Sequence, residues 1–147
     1  AHHGNGTEDI FAHHEQVYMF GFYQHPYYPS TRHSPAAANM YNEPVAAGAD
    51  SEQIRHIVNT YWLPKLRQLK PKLVFFSAGF DAHEADDMAQ LQLSDEDFAW
   101  ITQQVMQATA SSAQGRAISV LEGGYDLSSL ARSVQQHIQA LAGLKNE

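Results

Sequence analysis

The stretch KLVFFSAGFDAH, residues 72–83, decides how the chain is read. Residues 73–76 are apolar without a break, and the run closes in small side chains, Ser77, Ala78 and Gly79. A continuous apolar run of this length suits a strand buried on both faces, the habit of parallel sheets covered by helices. Asp81 and His83 stand just past its carboxyl end. Open α/β sheets bind their ligands at such ends.

Working outward, residues 94–113 read as a helix. Ser94 with Asp97 three later resembles a capping box built with the shorter acid, and Phe98, Ile101 and Val105 give an apolar stripe. AISVL, residues 117–121, is a further buried strand, closed by Glu122-Gly123-Gly124. Residues 127–141 form a last helix, with Leu127, Leu130, Val134, Ile138 and Leu141 on one face. Upstream, residues 51–69 are helical, with Pro64 expected to kink or break the run. VYMFGFY, residues 17–23, reads as a buried strand. Residues 24–48 hold four of the six prolines and show little periodicity, so they are expected to be irregular. Strands alternating with helices describe βαβ units and a parallel sheet.

The 147 residues suffice for one domain with a core, and 44% of them are hydrophobic. A formal net charge of −7 argues against nucleic-acid binding through a general basic surface. It would favour a cationic substrate. There is no cysteine, which excludes disulfides and thiolate metal ligands. No apolar run reaches the ~18 residues of a membrane span, and no signal-peptide pattern stands at the start. No nucleic-acid or membrane partner is therefore expected.

Three stretches carry chemistry. Asp81 either caps a turn or serves as an oxygen ligand to a metal. In LEGGYD, residues 121–126, two glycines allow a sharp turn or close backbone approach. Tyr125, which follows them, either packs or donates its hydroxyl to an oxyanion, a role typically worth ~10²–10³ in rate. In HHGNG, residues 2–6, one imidazole would bind a metal and the other would stand behind it.

HHGNGTEDIF, SAGFDAHEADDM and LEGGYDLSSLARS occur in that order. Together they closely resemble the zinc-dependent histone deacetylase family, especially the class II-like bacterial amidohydrolases that include acetylpolyamine amidohydrolases. QHPYYPS, residues 24–30, extends the resemblance over nearly the whole chain. It implies a three-layer α/β/α parallel-sheet, arginase-like fold. It implies zinc held by His2 and Asp81, and Tyr125 as the transition-state tyrosine. Tyr28 matches an aromatic wall of the acyl-lysine tunnel, Met88 a residue beside it, and Gly123 and Gly124 its floor. Asn5 falls where the family has Asp or Asn behind a catalytic histidine. A structural potassium ion is common in the family, and His2 and Phe22 are the positions to watch for it. The substrate class would be acetyl-lysine or an acetylated polyamine, and the location cytoplasmic.

The departures also inform. YPSTR replaces the usual Pro-Gly-Thr-Gly, and Asp87 stands where a proline is usual. In the family another zinc aspartate stands two residues before the first histidine of this motif, which would place it before Ala1. The tandem catalytic histidines, one of them the general base, lie further upstream. His13 and His14 lack the flanking residues of that motif and are read as loop or surface residues. Residues 1–147 are thus expected to be the carboxyl-terminal part of a single deacetylase domain. Such a part should bind zinc weakly, be inactive by itself and self-associate through an uncovered sheet edge or apolar face. The alternative is a noncatalytic remnant or scaffold module of deacetylase origin. A plain α/β domain with purely structural His, Asp and Tyr is the third reading. Iron(II) and cobalt compete with zinc for such ligands.

Overall fold

The computed structural model describes residues 1–30 and 37–144. Thr31 and Arg32 of the YPSTR stretch lie outside the described residues. The chain runs α1 (Asn5–Phe11), β1 (Met19–Gln24), β2 (Met40–Val45), α2 (Ser51–Ile57), a π-helical turn (Val58–Trp62), α3 (Leu63–Leu69), β3 (Val74–Ala78), α4 (Asp95–Ala113), β4 (Ala117–Leu121) and α5 (Leu127–Leu141). Among the described residues the strands form two parallel pairs, β1 with β2 and β3 with β4. Among them, too, no helix is long and apolar enough to cross a membrane.

The helical run over residues 51–69 is one continuous right-handed path. Asp50 opens it with a capping box, its carboxylate accepting from the Gln53 amide at 3.1 Å. Pro64 does not break it. The π-helical turn precedes it, and the proline takes a place in the first turn of α3, where an amide hydrogen is not needed. Lys70, in the left-handed region at φ 51°, ends the helix. At the start of α4 the Asp97 carboxylate reaches back to the Ser94 amide at 2.9 Å, as the capping-box spacing predicts.

Three expectations are corrected. Residues 24–48 are not wholly irregular: β2 lies inside them and pairs in register with β1, Met19 opposite Met40 and Gln24 opposite Val45. Polar Asn42 and Glu43, and Pro44 with no N–H to donate, hide its strand character. β3 and β4 are not buried on both faces. Val74, Phe76 and Ala78 pack on the core, whereas Phe75 is 65% exposed, as are Ile118 and Val120 beside it by about half. One layer of helices covers one face, and the described residues supply nothing to the other. In α5 the buried positions are Ser129, Ser133, His137 and Ala140, with Leu130 and Val134 packed at the margin. Leu127 and Ile138 face outward instead. Small side chains on the inner face let α5 approach α4, and the Ser133 hydroxyl donates to Asp95 at 2.8 Å.

The core gathers Ile54, Val58, Trp62, Leu63 and Leu66 from the helical run. Phe80, Leu91, Leu93, Phe98 and Val105 complete it. Phe20 and Phe22 of β1 and Val74, Phe76 and Ala78 of β3 pack against it. The pairing of β3 with β4 continues past both strands. The Glu122 amide donates to the Ala78 carbonyl at 3.0 Å, and the Phe80 amide donates to the Gly123 carbonyl at 2.8 Å. This extension brings the SAGFDAH and LEGGYD loops side by side.

Candidate metal and oxyanion site

Asp81 follows β3 and is 3% exposed. Its Oδ2 accepts from His2 Nδ1 at 2.7 Å, and its Oδ1 accepts from the Ala1 ammonium at 2.8 Å. Ala1 is held in turn, its carbonyl accepting from the Gln24 amide at the end of β1 at 2.8 Å. Burial pushes the Asp81 carboxyl up, and the bond from His2 works against it.

Gly123 lies against this carboxylate. A Cβ there would stand 2.8 Å from Asp81 Cγ and Oδ2, closer than carbon atoms pack. Gly124 has φ +133°, and a Cβ on it would meet Leu130 Cδ1 at 2.7 Å. The two glycines thus let the loop after β4 pass between Asp81 and α5. Tyr125 emerges from it 56% exposed.

An aromatic rim stands on the other side. The Tyr27 ring stacks on His2 at 5.5 Å between centroids, and Tyr28 meets His2 edge-on at 6.0 Å. The Tyr27 hydroxyl donates to the Met88 carbonyl at 3.2 Å. The sequence-predicted His2, Asp81, Gly123 and Tyr28 are therefore in one cluster, and Met88 joins it through Tyr27. Gly124 packs on Leu130 and Phe80, one layer away. Phe22 turns its ring to Trp62 at 6.0 Å. Asn5 lies exposed at the start of α1. The acid beside the second imidazole is Glu8, whose Oε2 is 2.9 Å from His3 Nε2. His83 is buried and turned away from the cluster, its Nε2 3.2 Å from Asp95 Oδ1. Its Nδ1 accepts from the Ala85 amide at 3.0 Å, which puts the proton on Nε2. His13 and His14 are exposed in the turn after α1, as expected.

The His2 nitrogen and the Asp81 oxygens are the donor types that zinc accepts, and they meet at 2.7 Å with the carboxylate buried. This pair fits a divalent metal. Among the described residues no group of three or more His, Asp or Glu side chains converges to complete a site.

A family model described as a histone deacetylase domain matches residues 1–141. The chain belongs to the histone deacetylase family. An uncharacterised Synechocystis protein is 36% identical to it over 143 residues, covering 95% of this chain and 45% of that protein. The chloroplastic histone deacetylase 14 of Arabidopsis thaliana is 30% identical, over 97% of this chain and 35% of its own. The solved structure of the histone deacetylase Clr3 superposes with a TM-score of 0.88 at 28% identity, over 99% of this chain and 26% of that one. This deacetylase-family chain thus spans less than half the length of these relatives.

Besides Glu8, two contributors escaped the sequence reading. Asp86 is 4% exposed, and its Oδ2 accepts from the Tyr125 amide at 2.6 Å and the Asp126 amide at 3.1 Å. Tyr27 stacks on His2. In the deacetylase-family chain the first is masked by the acidic run EADD, and the second by standing beside another tyrosine.

Proposed function

We propose that this chain carries the carboxyl-terminal share of a zinc-dependent amidohydrolase that removes acetyl groups from acetyl-lysine or acetylated polyamines. The contact between His2 Nδ1 and Asp81 Oδ2, 2.7 Å long and bordered by the Gly123-Gly124-Tyr125 turn, carries the reading. His2 and Asp81 would hold the metal. When bound, zinc supplies Lewis acidity toward the acetyl carbonyl and the attacking water. The Tyr125 hydroxyl donates a hydrogen bond to the carbonyl oxygen as negative charge grows there. Tyr28 and Met88 flank the acyl-bearing chain, and Gly123 and Gly124 form the floor on which it rests. A potassium ion near the His2 and Phe22 backbone would stiffen the same corner. The setting is cytoplasmic, and substrates arrive as acetylated amines without nucleic acid or membrane.

Two protein donors make a weak metal site, and no imidazole in these residues is assigned as the general base, so the chain by itself should be inactive. Titration with Co²⁺, followed by visible absorption, tests the metal reading. We expect weak binding in the native sequence and its loss in both His2→Ala and Asp81→Asn. Binding that ignores both substitutions would refute the assignment. Zinc-dependent release of acetate from acetyl-lysine by the 147-residue chain alone would overturn the expectation of inactivity.

A further inference from the structure

We propose that Asp86 is a positioning residue: its two carboxylate oxygens hold the tyrosine loop and the Met88 wall in fixed register across the mouth of the site. The inference rests on the reading of Tyr125 as oxyanion donor and adds the device that aims it. Oδ2 accepts from the amides of Tyr125 and Asp126, and Oδ1 accepts from the Met88 amide at 3.0 Å. The Asp86 amide donates to the His83 carbonyl at 2.9 Å, so the acid sits on a turn fixed to the Asp81 loop. Asp126 is also the N-cap of α5, its side chain accepting from the Ser129 amide. One carboxylate therefore joins two stretches of backbone, its own turn through Met88 and the Tyr125–Asp126 loop 39 and 40 residues away.

The chemistry demands a carboxylate. Three N–H donors converge on two oxygens, and a carboxylate is acceptor-only on both. An asparagine has one acceptor oxygen and turns its NH₂ toward a donor on the other side. It can keep the tyrosine loop or the Met88 turn, and loses the other. Because the Met88 carbonyl in turn accepts from Tyr27, which stacks on His2, slack at Asp86 reaches the rim on both sides.

The test is amide hydrogen exchange by NMR on the native chain, Asp86→Asn and Asp86→Ala, with Val105 in α4 as the internal control. Loss of a charge-assisted hydrogen bond predicts exchange about tenfold faster at Met88, or at Tyr125 and Asp126, in the asparagine variant. Val105 should not change. Should the alanine variant fail to fold, the asparagine variant alone decides. The second readout is the paramagnetic shift of the Tyr125 ring on adding Co²⁺, expected in the native chain and diminished in Asp86→Asn. Wild-type exchange at all three amides in the folded variants overturns the proposal. So does faster exchange with an unaltered Co²⁺ shift, because Asp86 would then stabilise the loop without aiming the tyrosine. If Co²⁺ shifts nothing in the native chain, the metal reading falls, and the exchange data alone decide the clamp.

Discussion

Gly123 is the residue at which the site is least tolerant. Its Cα faces a carboxylate fixed from two other sides, by His2 and by the Ala1 nitrogen, so an added methyl group cannot be accommodated by a side-chain swing alone. Gly123→Ala should displace Asp81, break the 2.7 Å contact with His2 and cost about 1–3 kcal/mol, the usual range for overpacking. Urea denaturation gives the stability and Co²⁺ absorption the metal site. Native values for both would show that the loop gives way instead. At this scale the sequence was informative where chemistry and spacing coincide. Asp81 stands behind small residues and Tyr125 behind two glycines, and both are legible without a structure. Asp86 was not, because its partners at Tyr125 and Asp126 lie 39 and 40 residues away and are backbone amides, which carry no residue signature. Glu8 was hidden for a similar reason: its link to Asn42 spans 34 residues.

Between elements, buried polar side chains serve as joints. Asp97 is 1% exposed and accepts from Ser51 Oγ at 2.5 Å and from Arg55 Nε at 3.0 Å, tying the start of α4 to α2. His137 joins α5 to α4 and β4. Thr102 Oγ1 donates its one hydrogen to the Phe98 carbonyl, so it accepts from His137 Nδ1, 2.7 Å away. His137 Nε2 then accepts from Ser119 Oγ at 2.8 Å, and the ring is neutral. Burial pushes its pKa below the ordinary histidine value of 6.5. The unfolded chain therefore binds the proton more readily. This residue's contribution is fully present above pH 6.5 and is lost as pH falls through the lower folded value. The difference in urea midpoint between the native chain and His137→Gln should shrink on acidification below pH 6.5. A difference constant across that window would exclude the linkage. The helices themselves were readable from caps and periodicity. The inner face of α5 was not, because close packing against α4 selects the small residues Ser129, Ser133 and Ala140 over the more hydrophobic ones.

On the scale of the whole molecule, the two parallel strand pairs leave apolar surface bare. Phe75, Ile118 and Val120 line one face of the β3–β4 pair, and Leu121, 58% exposed, stands at its carboxyl end. The alternation of a half-covered strand was invisible in VFFSA because both its faces are apolar, as they are in a sheet with helices on either side. Only the structure shows which face the described helices cover. Contiguous apolar surface of this kind attracts a partner at roughly 25 cal/mol per Å² buried, and the edges of a two-stranded pair offer unpaired backbone groups besides. The net charge of −7 opposes association of two copies but is screened by salt. The chain in isolation should therefore self-associate, more strongly as salt rises. Phe75→Lys with Val120→Lys should shift it toward monomer without unfolding it, since both side chains already face outward. Sedimentation velocity over a range of protein and salt concentrations reads this directly. A single monomeric species in the native sequence at high concentration and high salt would mean that the bare face is too small or too broken to bind a second copy.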